Sequence, residues 1–162
     1  MGQKPSNLGR NSVAGRTETG NGSFLRAMDT AHVKYLGQLR TEAVHVRSGK
    51  KIITDAPLDN HGKGEAFSPT DLLSTSLACC MMTLMGIAAD ARQIQLNGLQ
   101  ARVVKHMASA PRRVERIEVH ISLNGTQLTD DQRHILEHAA RTCPVAQSLR
   151  EDLVKEMTFT YA

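Results

Sequence analysis

The chain has 162 residues, three cysteines and a formal net charge of +4. A chain of about 150 residues buries roughly 68–70% of its unfolded surface, so one domain with a real core is expected. Most of the charge lies in the first 27 residues, which hold four cations and one acid: Lys4, Arg10, Arg16, Arg26 and Glu18. The remaining chain carries only about +1, which argues against nucleic acid as a partner.

The cysteines and the first residues indicate the compartment. Three cysteines without regular spacing do not form the disulfide framework of a small secreted domain. The first residues have no apolar run followed by a small-residue cleavage site. We therefore expect a reducing, cytoplasmic location. A membrane span is not expected, because the apolar segment 72–89 is interrupted by small and polar residues: Ser74, Thr75, Ser76, Thr83 and Gly86.

Composition divides the chain into two parts. Residues 1–27 are rich in Gly, Ser, Asn and Thr and contain few sizeable apolar residues. Such a segment buries too little surface to offset its ordering entropy, so we expect a disordered leader or a remnant foreign to the native protein. Residues 28–162 contain the regular patterns and form the predicted domain.

The first half of this domain predicts extended structure followed by a long helix. Alternation from His32 through Val46 leads to the Ser48-Gly49 turn, and residues 51–54 form the return strand of a hairpin. A loop over 56–67 follows. Ser68 then precedes Pro69 and Asp71 as a helix cap. The helix is apolar on nearly all sides, which indicates a partner subunit.

The second half adds two strands, two helices and a closing strand. Strands are predicted at 99–107 and 114–123, and Thr129 with Gln132 forms a capping box for a second helix. Pro144 ends that helix and starts a short one, and alternation at 157–161 indicates the last strand. This order of elements predicts an α+β fold with a largely antiparallel sheet.

Cysteine chemistry is the most specific candidate for function. A thiol peroxidase needs a thiolate, a cation that keeps it ionised and a second thiol that resolves the sulfenic acid. Cys80 shares an apolar helix stripe with Leu73, Leu77, Leu84 and Ile87. Cys79 lies about 100° away, and spacing alone does not choose between the two cysteines. Cys143 precedes Pro144, where a helix N-terminus favours a thiolate. Each cysteine could instead be a buried apolar residue. No zinc-ligand spacing is present, so no metal is expected.

Two cysteine segments resemble motifs of one known family. Residues 64–73 (GEAFSPTDLL) with 77–81 (LACCM), and residues 142–145 (TCPV), resemble the two cysteine motifs of the OsmC/Ohr family. Residues 35–40 (YLGQLR) and the Ser48-Gly49 turn extend the resemblance across 32–161. The resemblance implies an OsmC-like fold with a long central cysteine-bearing helix, and an intertwined homodimer with two active sites at the subunit interface.

The resemblance also implies roles for individual residues. By position Cys80 attacks the hydroperoxide and Cys143 resolves it as a disulfide. Arg40, counted back from the Ser48-Gly49 turn, is the arginine that holds the thiolate, with Arg47 close by as an alternative. The family's peroxidases place Glu directly after the helix-starting proline as the partner of that arginine. Thr70 stands there in this chain, so the candidates for the carboxylate are Asp71, which is also a helix cap, and Glu65 in the preceding loop.

The expected function is reduction of alkyl or fatty-acid hydroperoxides by Cys80 and Cys143, without a bound cofactor. Resemblance implies that a small or lipoyl dithiol is the external reductant. Two alternatives remain open at this point. The protein could be a non-enzymatic apolar-ligand-binding or stress-response dimer, which the Thr70 departure favours, or a thiol redox sensor that uses the same cysteine pair.

Overall fold

A computed structural model describes residues 28–162, so the prediction for residues 1–27 lies outside the described part of the chain. The elements occur in the order β1 (Ala31–Gly37), β2 (Arg40–His45), β3 (Lys51–Asp55), α1 (Pro69–Asp90), β4 (Gln100–Ser109), β5 (Arg112–Leu123), α2 (Asp130–Arg141), α3 (Pro144–Ser148) and β6 (Val154–Tyr161). The strands form a small sheet, β1-β2-β3, and a large sheet, β4-β5-β6. The predicted α+β class is confirmed.

The small sheet is an antiparallel meander built by two tight turns. The predicted hairpin at Ser48-Gly49 joins β2 to β3, and Gly49 supplies a φ of 67°. The sequence predicted one extended run before this hairpin, but the chain reverses at Gln38 and Leu39, whose φ angles are 51° and 61°. Two successive positive φ angles match the twist of a two-residue hairpin turn. The sequence has no Asn-Gly dipeptide at this reversal. Alternation of apolar and polar residues alone therefore did not predict a turn here.

One face of the large sheet packs against the helices and forms part of the hydrophobic core. β4 and β5 pair antiparallel, but β6 pairs parallel to β5, from Arg116↔Val154 to Leu123↔Tyr161. The large sheet is therefore mixed, and among the described strands this parallel pair is the one departure from the largely antiparallel pairing predicted. The reason is the connection from β5 to β6, which contains α2 and α3 and allows a parallel crossover. The inward residues Ile117, Val119 and Ile121 are at most 1% exposed.

The start of α1 is fixed by the predicted capping box. Ser68 Oγ accepts the Asp71 N–H at 3.1 Å, and Asp71 Oδ2 accepts the Ser68 N–H at 2.8 Å. Pro69 occupies the first turn, where its missing N–H costs nothing. The second predicted box, Thr129 with Gln132, starts α2 in the same way. Both caps are confirmed.

The buried face of α1 differs from the predicted stripe. Leu77, Met81 and Met85 are 0% exposed and pack in the core, whereas Ile87, which was placed on the stripe with Cys80, is 59% exposed. Cys80 lies half-buried at the border of the core face. With a mean hydropathy of 1.8, α1 is also long and apolar enough to span a membrane, judged by length and composition alone. The core helix of a soluble protein has the same composition.

The small sheet keeps an apolar face uncovered. The register places Val33 and Ile52 on one face, both opposite Ala43, with Tyr35 on the same face. Val33 is 68% exposed, Tyr35 63% and Ile52 50%. No other part of residues 28–162 covers these side chains to the extent that the core residues are covered. Apolar surface of this kind is typical of an interaction site.

Candidate active site

The structure brings Cys80 and Cys143 together. Cys80 lies on α1 and is half-buried, whereas Cys143 is 0% exposed and is the N-cap of α3. Cys80 packs against the core cluster that contains Cys143, and neither cysteine is in a disulfide. Contact between α1 and α3 thus places the two cysteines of the separate motifs side by side. The pair has the arrangement that an attacking and a resolving thiol require.

Burial decides the protonation of Cys143. Its Sγ accepts the Ala146 N–H at 3.4 Å, as expected for a cap. The sequence predicted that this helix terminus would favour a thiolate, but burial raises the pKa of Cys143, and the contact with Cys80 raises it further. The N–H bond lowers the pKa by less than burial raises it, because a five-residue helix offers little dipole. Cys143 is therefore a neutral thiol at pH 7.

Cys79 is separated from this pair. It is exposed, and it occupies the neighbouring direction around α1. Its backbone carbonyl accepts the Thr83 hydroxyl at 2.8 Å, one turn further along the helix. Of the two cysteines between which spacing did not choose, Cys80 is the one that packs against the core cluster containing Cys143.

Arg40 is held by two carboxylates at the edge of the small sheet. Its Nη2 donates to Asp55 Oδ2 at 3.3 Å and to the carboxylate of Glu65. Asp55 is fully buried, whereas the Glu65 side chain is 59% exposed. Glu65 is one of the two acids that the sequence offered for this role. Arg47 lies in the exposed turn after β2 and is not part of this cluster.

Asp71 binds a different cation. Lys105 Nζ donates to Asp71 Oδ1 at 2.7 Å and to Thr70 Oγ1 at 3.0 Å. Burial alone would raise the pKa of Asp71, but hydrogen bonds from Lys105 and Ser68 outweigh it, and the pKa is lowered. The carboxylate is committed to the helix cap and to Lys105, so Asp71 does not hold Arg40. Its position one residue beyond Thr70 turns it about 100° around the helix.

Sequence reasoning missed Asp55 and Lys105. Asp55 could have been found, because the register of the Ser48-Gly49 hairpin places it directly opposite Arg40. The same count that identified Arg40 also reaches Asp55 when it is continued along the return strand. Lys105 lies on β4, 34 residues from Asp71, and no local pattern indicates this pairing.

Within one chain, Arg40 and Cys80 lie far apart. The N–H of Asp55, the partner of Arg40, donates to the carbonyl of Phe67 at 3.1 Å, just before the cap of α1. From Ser68 to Cys80 the helix rises twelve residues, or about 18 Å. The structure therefore places the arginine cluster and the cysteine pair at separate points of the same subunit.

Two cavities flank the small sheet, and neither touches the cysteines. The larger, about 630 Å³, lies beside Glu65 and is lined by Ile53, Phe67 and Lys105 among others. The second, about 370 Å³ and mostly apolar, lies under Tyr35, Pro69 and Met107. Among residues 28–162 no group of three metal-ligand side chains is close enough to hold an ion.

Comparison with known proteins agrees with the cysteine motifs. The family model described as OsmC-like protein matches residues 62–157, which include α1, both cysteine motifs, β4, β5 and the start of β6. The chain belongs to the OsmC-like protein family. A search of curated proteins found no match.

Solved structures extend the likeness of this OsmC-like protein to the small sheet. A Psychrobacter arcticus protein, assigned provisionally as an osmotic-stress-induced and detoxification-response protein, is 48% identical with a TM-score of 0.79. The match covers 84% of this chain and 98% of that one. A Legionella pneumophila organic hydroperoxide resistance protein is 17% identical, with a TM-score of 0.65 over 83% of this chain and 99% of that one. The second likeness concerns the fold alone.

For OhrB of Bacillus subtilis, an organic hydroperoxide resistance protein, the identity is 15% and the TM-score 0.58, over 82% of this chain and 99% of that one. The small sheet, α1 and the large sheet therefore recur together in OsmC-like proteins of widely different sequence. The predicted OsmC-like fold is confirmed.

Proposed function

We propose that this OsmC-like protein is a cysteine peroxidase that reduces organic hydroperoxides. The observation that supports it most strongly is the contact between the Cys80 and Cys143 thiols, one half-buried and one fully buried. A lone buried cysteine would be consistent with packing alone. Two thiols from separate motifs that pack against each other are positioned to form a disulfide once one of them is oxidised.

The first step is an attack by the Cys80 thiolate on the distal oxygen of the hydroperoxide. The S–O bond forms while the O–O bond breaks, and the alkoxide leaves as an alcohol after it takes up a proton. Cys80 is then a sulfenic acid, oxidised by two electrons, and the hydroperoxide has been reduced by two. The half-buried position of Cys80 lets a small apolar substrate reach it.

Cys143 completes the oxidative half of the cycle. Its sulfur attacks the Cys80 sulfur, the S–O bond breaks, and water leaves as the Cys80–Cys143 disulfide forms. An external dithiol, of a small or lipoyl type in a reducing cytoplasm, returns both cysteines to thiols and becomes a disulfide itself. No bound cofactor takes part.

A second copy of the chain completes the site in this proposal. In one subunit the Arg40 cluster is tied to the segment just before α1, and Cys80 lies about 18 Å of helix rise beyond Ser68. The apolar face with Val33 and Ile52 is uncovered. If the small sheet packs on a second subunit, that face is buried and Arg40 of one subunit approaches Cys80 of the other. Its guanidinium would hold the thiolate by opposite charge.

The test uses matched cysteine variants. Reduced wild type is mixed with cumene hydroperoxide or hydrogen peroxide, and thiol loss, peroxide consumption and disulfide formation are followed. We expect faster consumption of cumene hydroperoxide, loss of all consumption in Cys80→Ser, and persistence of a trappable sulfenic acid in Cys143→Ser. Cys79→Ser is the control on the same helix and should retain activity.

Other outcomes support the alternatives. Unchanged consumption in Cys80→Ser would reject the peroxidase. A wild-type protein that forms no disulfide but binds apolar ligands would indicate a binding dimer, which the apolar cavity of about 370 Å³ could serve. Equal disulfide formation with any oxidant, without catalytic turnover, would indicate a redox sensor.

A further inference from the structure

Asp55 is a buried carboxylate directly behind Arg40. It ends β3, lies opposite Arg40 in the sheet register and is 0% exposed. Its Oδ2 accepts Arg40 Nη2 at 3.3 Å and the Glu65 N–H at 3.0 Å. Burying a charged group is costly unless it is paired and hydrogen-bonded. The burial of Asp55 therefore indicates that this carboxylate fixes the positions of the two groups it binds, the Arg40 guanidinium and the Glu65 backbone.

The two acids on Arg40 differ in how firmly they can hold it. Glu65 lies on the loop between β3 and α1, and its side chain is 59% exposed. Ion pairs of that kind contribute little, because water and salt screen them. Asp55 lies on a strand and is shielded from water, so removal of its charge leaves a partly buried guanidinium with weaker support. The position of Arg40 is set mainly by Asp55.

Asp55 also holds the loop that carries Glu65. The same Oδ2 that binds Arg40 accepts the Glu65 backbone N–H, and the Lys63 N–H is also directed at this carboxylate. The Glu65 N–H in particular, opposed by burial and helped by Arg40, keeps the pKa of Asp55 below its usual range. One ionised side chain thus connects β2, β3 and the later part of the loop that leads to α1.

Arg40 keeps donors that this cluster does not use. Both of its carboxylate contacts are made by Nη2, and within the described chain neither Nη1 nor Nε has a hydrogen-bond partner. Asp55 Oδ1 is likewise buried without a partner. A guanidinium that served only to close this pair would use two parallel bonds. The single-nitrogen contact anchors Arg40 and leaves Nη1 for another anion.

We propose that Asp55 is a positioning residue of the peroxidase, which fixes the Arg40 guanidinium and the Glu65 loop so that Arg40 faces the Cys80 thiolate of a second subunit. The proposal rests on the function proposed above. It also explains why Thr70 is tolerated: the acid expected at the start of α1 is replaced by Asp55, from the strand opposite Arg40.

The experiment measures the state of Cys80 directly. In a Cys79→Ser/Cys143→Ser background Cys80 is the only cysteine, and its thiolate is followed by the pH dependence of alkylation and by the single-turnover rate of sulfenic acid formation. Asp55→Asn should raise the alkylation midpoint by about one pH unit and slow sulfenic acid formation about tenfold near pH 7. Asp55→Glu should recover part of both effects.

A double-variant cycle separates positioning from mere structural support. Arg40→Met alone should reproduce the shift of Asp55→Asn, and adding Asp55→Asn to Arg40→Met should produce no further shift. Asp59→Asn is the matched control, since Asp59 is an exposed acid of the same loop and binds Arg112 instead. It should leave both readouts unchanged. Circular dichroism and thermal melting establish that each variant is folded.

Three results would overturn the proposal. They are an unshifted midpoint in folded Asp55→Asn, an equal additional shift in the Arg40→Met background, and, if Asp55→Asn does not fold, an unshifted midpoint in Arg40→Met. The peroxidase proposal fails separately, if wild type consumes no hydroperoxide. The alkylation midpoints still decide the role of Asp55 in that case, because they need no peroxide.

Discussion

Cys80 and Cys143 are in contact but occupy unequal environments. Cys80 is half-buried and open to a substrate, whereas Cys143 is enclosed, and burial keeps its pKa above the ordinary value of 9.0. A neutral, buried thiol reacts slowly with a peroxide in solution. The same thiol is protected from side reactions until the sulfenic acid forms beside it. In the proposed peroxidase, these two environments suit the distinct tasks of an attacking and a resolving thiol.

Resolution should be slow at neutral pH and accelerate in alkali. Because burial raises the pKa of Cys143, its thiolate fraction grows about tenfold for each pH unit between 7 and 9. Disulfide formation in a single turnover should follow this rise. The sulfenic acid is trapped with dimedone at timed intervals, and the disulfide is quantified by mass spectrometry. A rate independent of pH from 7 to 9 would contradict this assignment.

Asp71 should contribute to stability and not to catalysis. We expect Asp71→Asn to lose about 1 kcal/mol of unfolding free energy at pH 7, because a cap and a lysine pair are weakened. The pKa of Asp71 is lowered in the folded protein, so its contribution is present above the usual 3.8 and is lost as the pH falls below that value. Urea unfolding of wild type and of Asp71→Asn at pH 7 and pH 3 measures the loss of unfolding free energy. Asp90→Asn, at the other end of α1, is the control. A large fall in peroxidase rate would contradict it.

The sequence identified single residues where a short motif defines them. Cys80, Cys143 and Arg40 were identified as candidate site residues because each has a fixed offset from a proline or a turn in the motifs that resemble the OsmC/Ohr family. The carboxylate partners were harder to predict, since they depend on strand register and on which acid is already engaged elsewhere. Asp71 was a candidate by proximity, but Lys105, which is remote in sequence, already binds it.

At the level of elements, α1 combines two environments. One face packs in the core through Leu77, Met81 and Met85, while Ile87 remains exposed in the single chain. The sequence predicted a helix enclosed on most sides, and a single subunit encloses only part of it. The caps of α1 and α2 were predictable from local chemistry. The reversal at Gln38 and the parallel β6 were not, because the first lacks a turn dipeptide and the second depends on a distant crossover.

The apolar face of the small sheet offers a test of the dimer. Val33→Lys/Ile52→Lys adds two charges to a face that is exposed in one chain. If a second subunit covers this face, burying those charges is prohibitive and the variant should sediment as a monomer. His32→Gln, on the opposite face, should leave the oligomeric state unchanged. The measurement is analytical ultracentrifugation at several concentrations. A dimeric double variant would exclude this face as the interface.

At the scale of the whole molecule, the small sheet and the large sheet have different degrees of self-sufficiency. The large sheet and its helices form a closed core that includes Cys143. The small sheet carries Arg40 and Asp55 but keeps an open apolar face. The cysteines therefore belong to the closed part, and the Arg40 cluster belongs to the part with the open apolar face. In the proposed dimeric peroxidase, this division would couple assembly to activity.

The contact between α1 and α3 would also make the protein's lifetime depend on its oxidation state. A bond from Cys80 to Cys143 encloses residues 81–142, which contain β4, β5 and α2. Closing a loop of that length lowers the entropy of the unfolded chain, which raises the free energy of unfolding by about 4 kcal/mol at 25 °C. Peroxide-treated protein should therefore resist urea and thermolysin better than the reduced form, and Cys143→Ser should lose this difference. Equal digestion of the oxidised and reduced forms would show that the bond does not restrain the chain. Slower digestion of the oxidised form would mean that exposure to peroxide prolongs the survival of the protein.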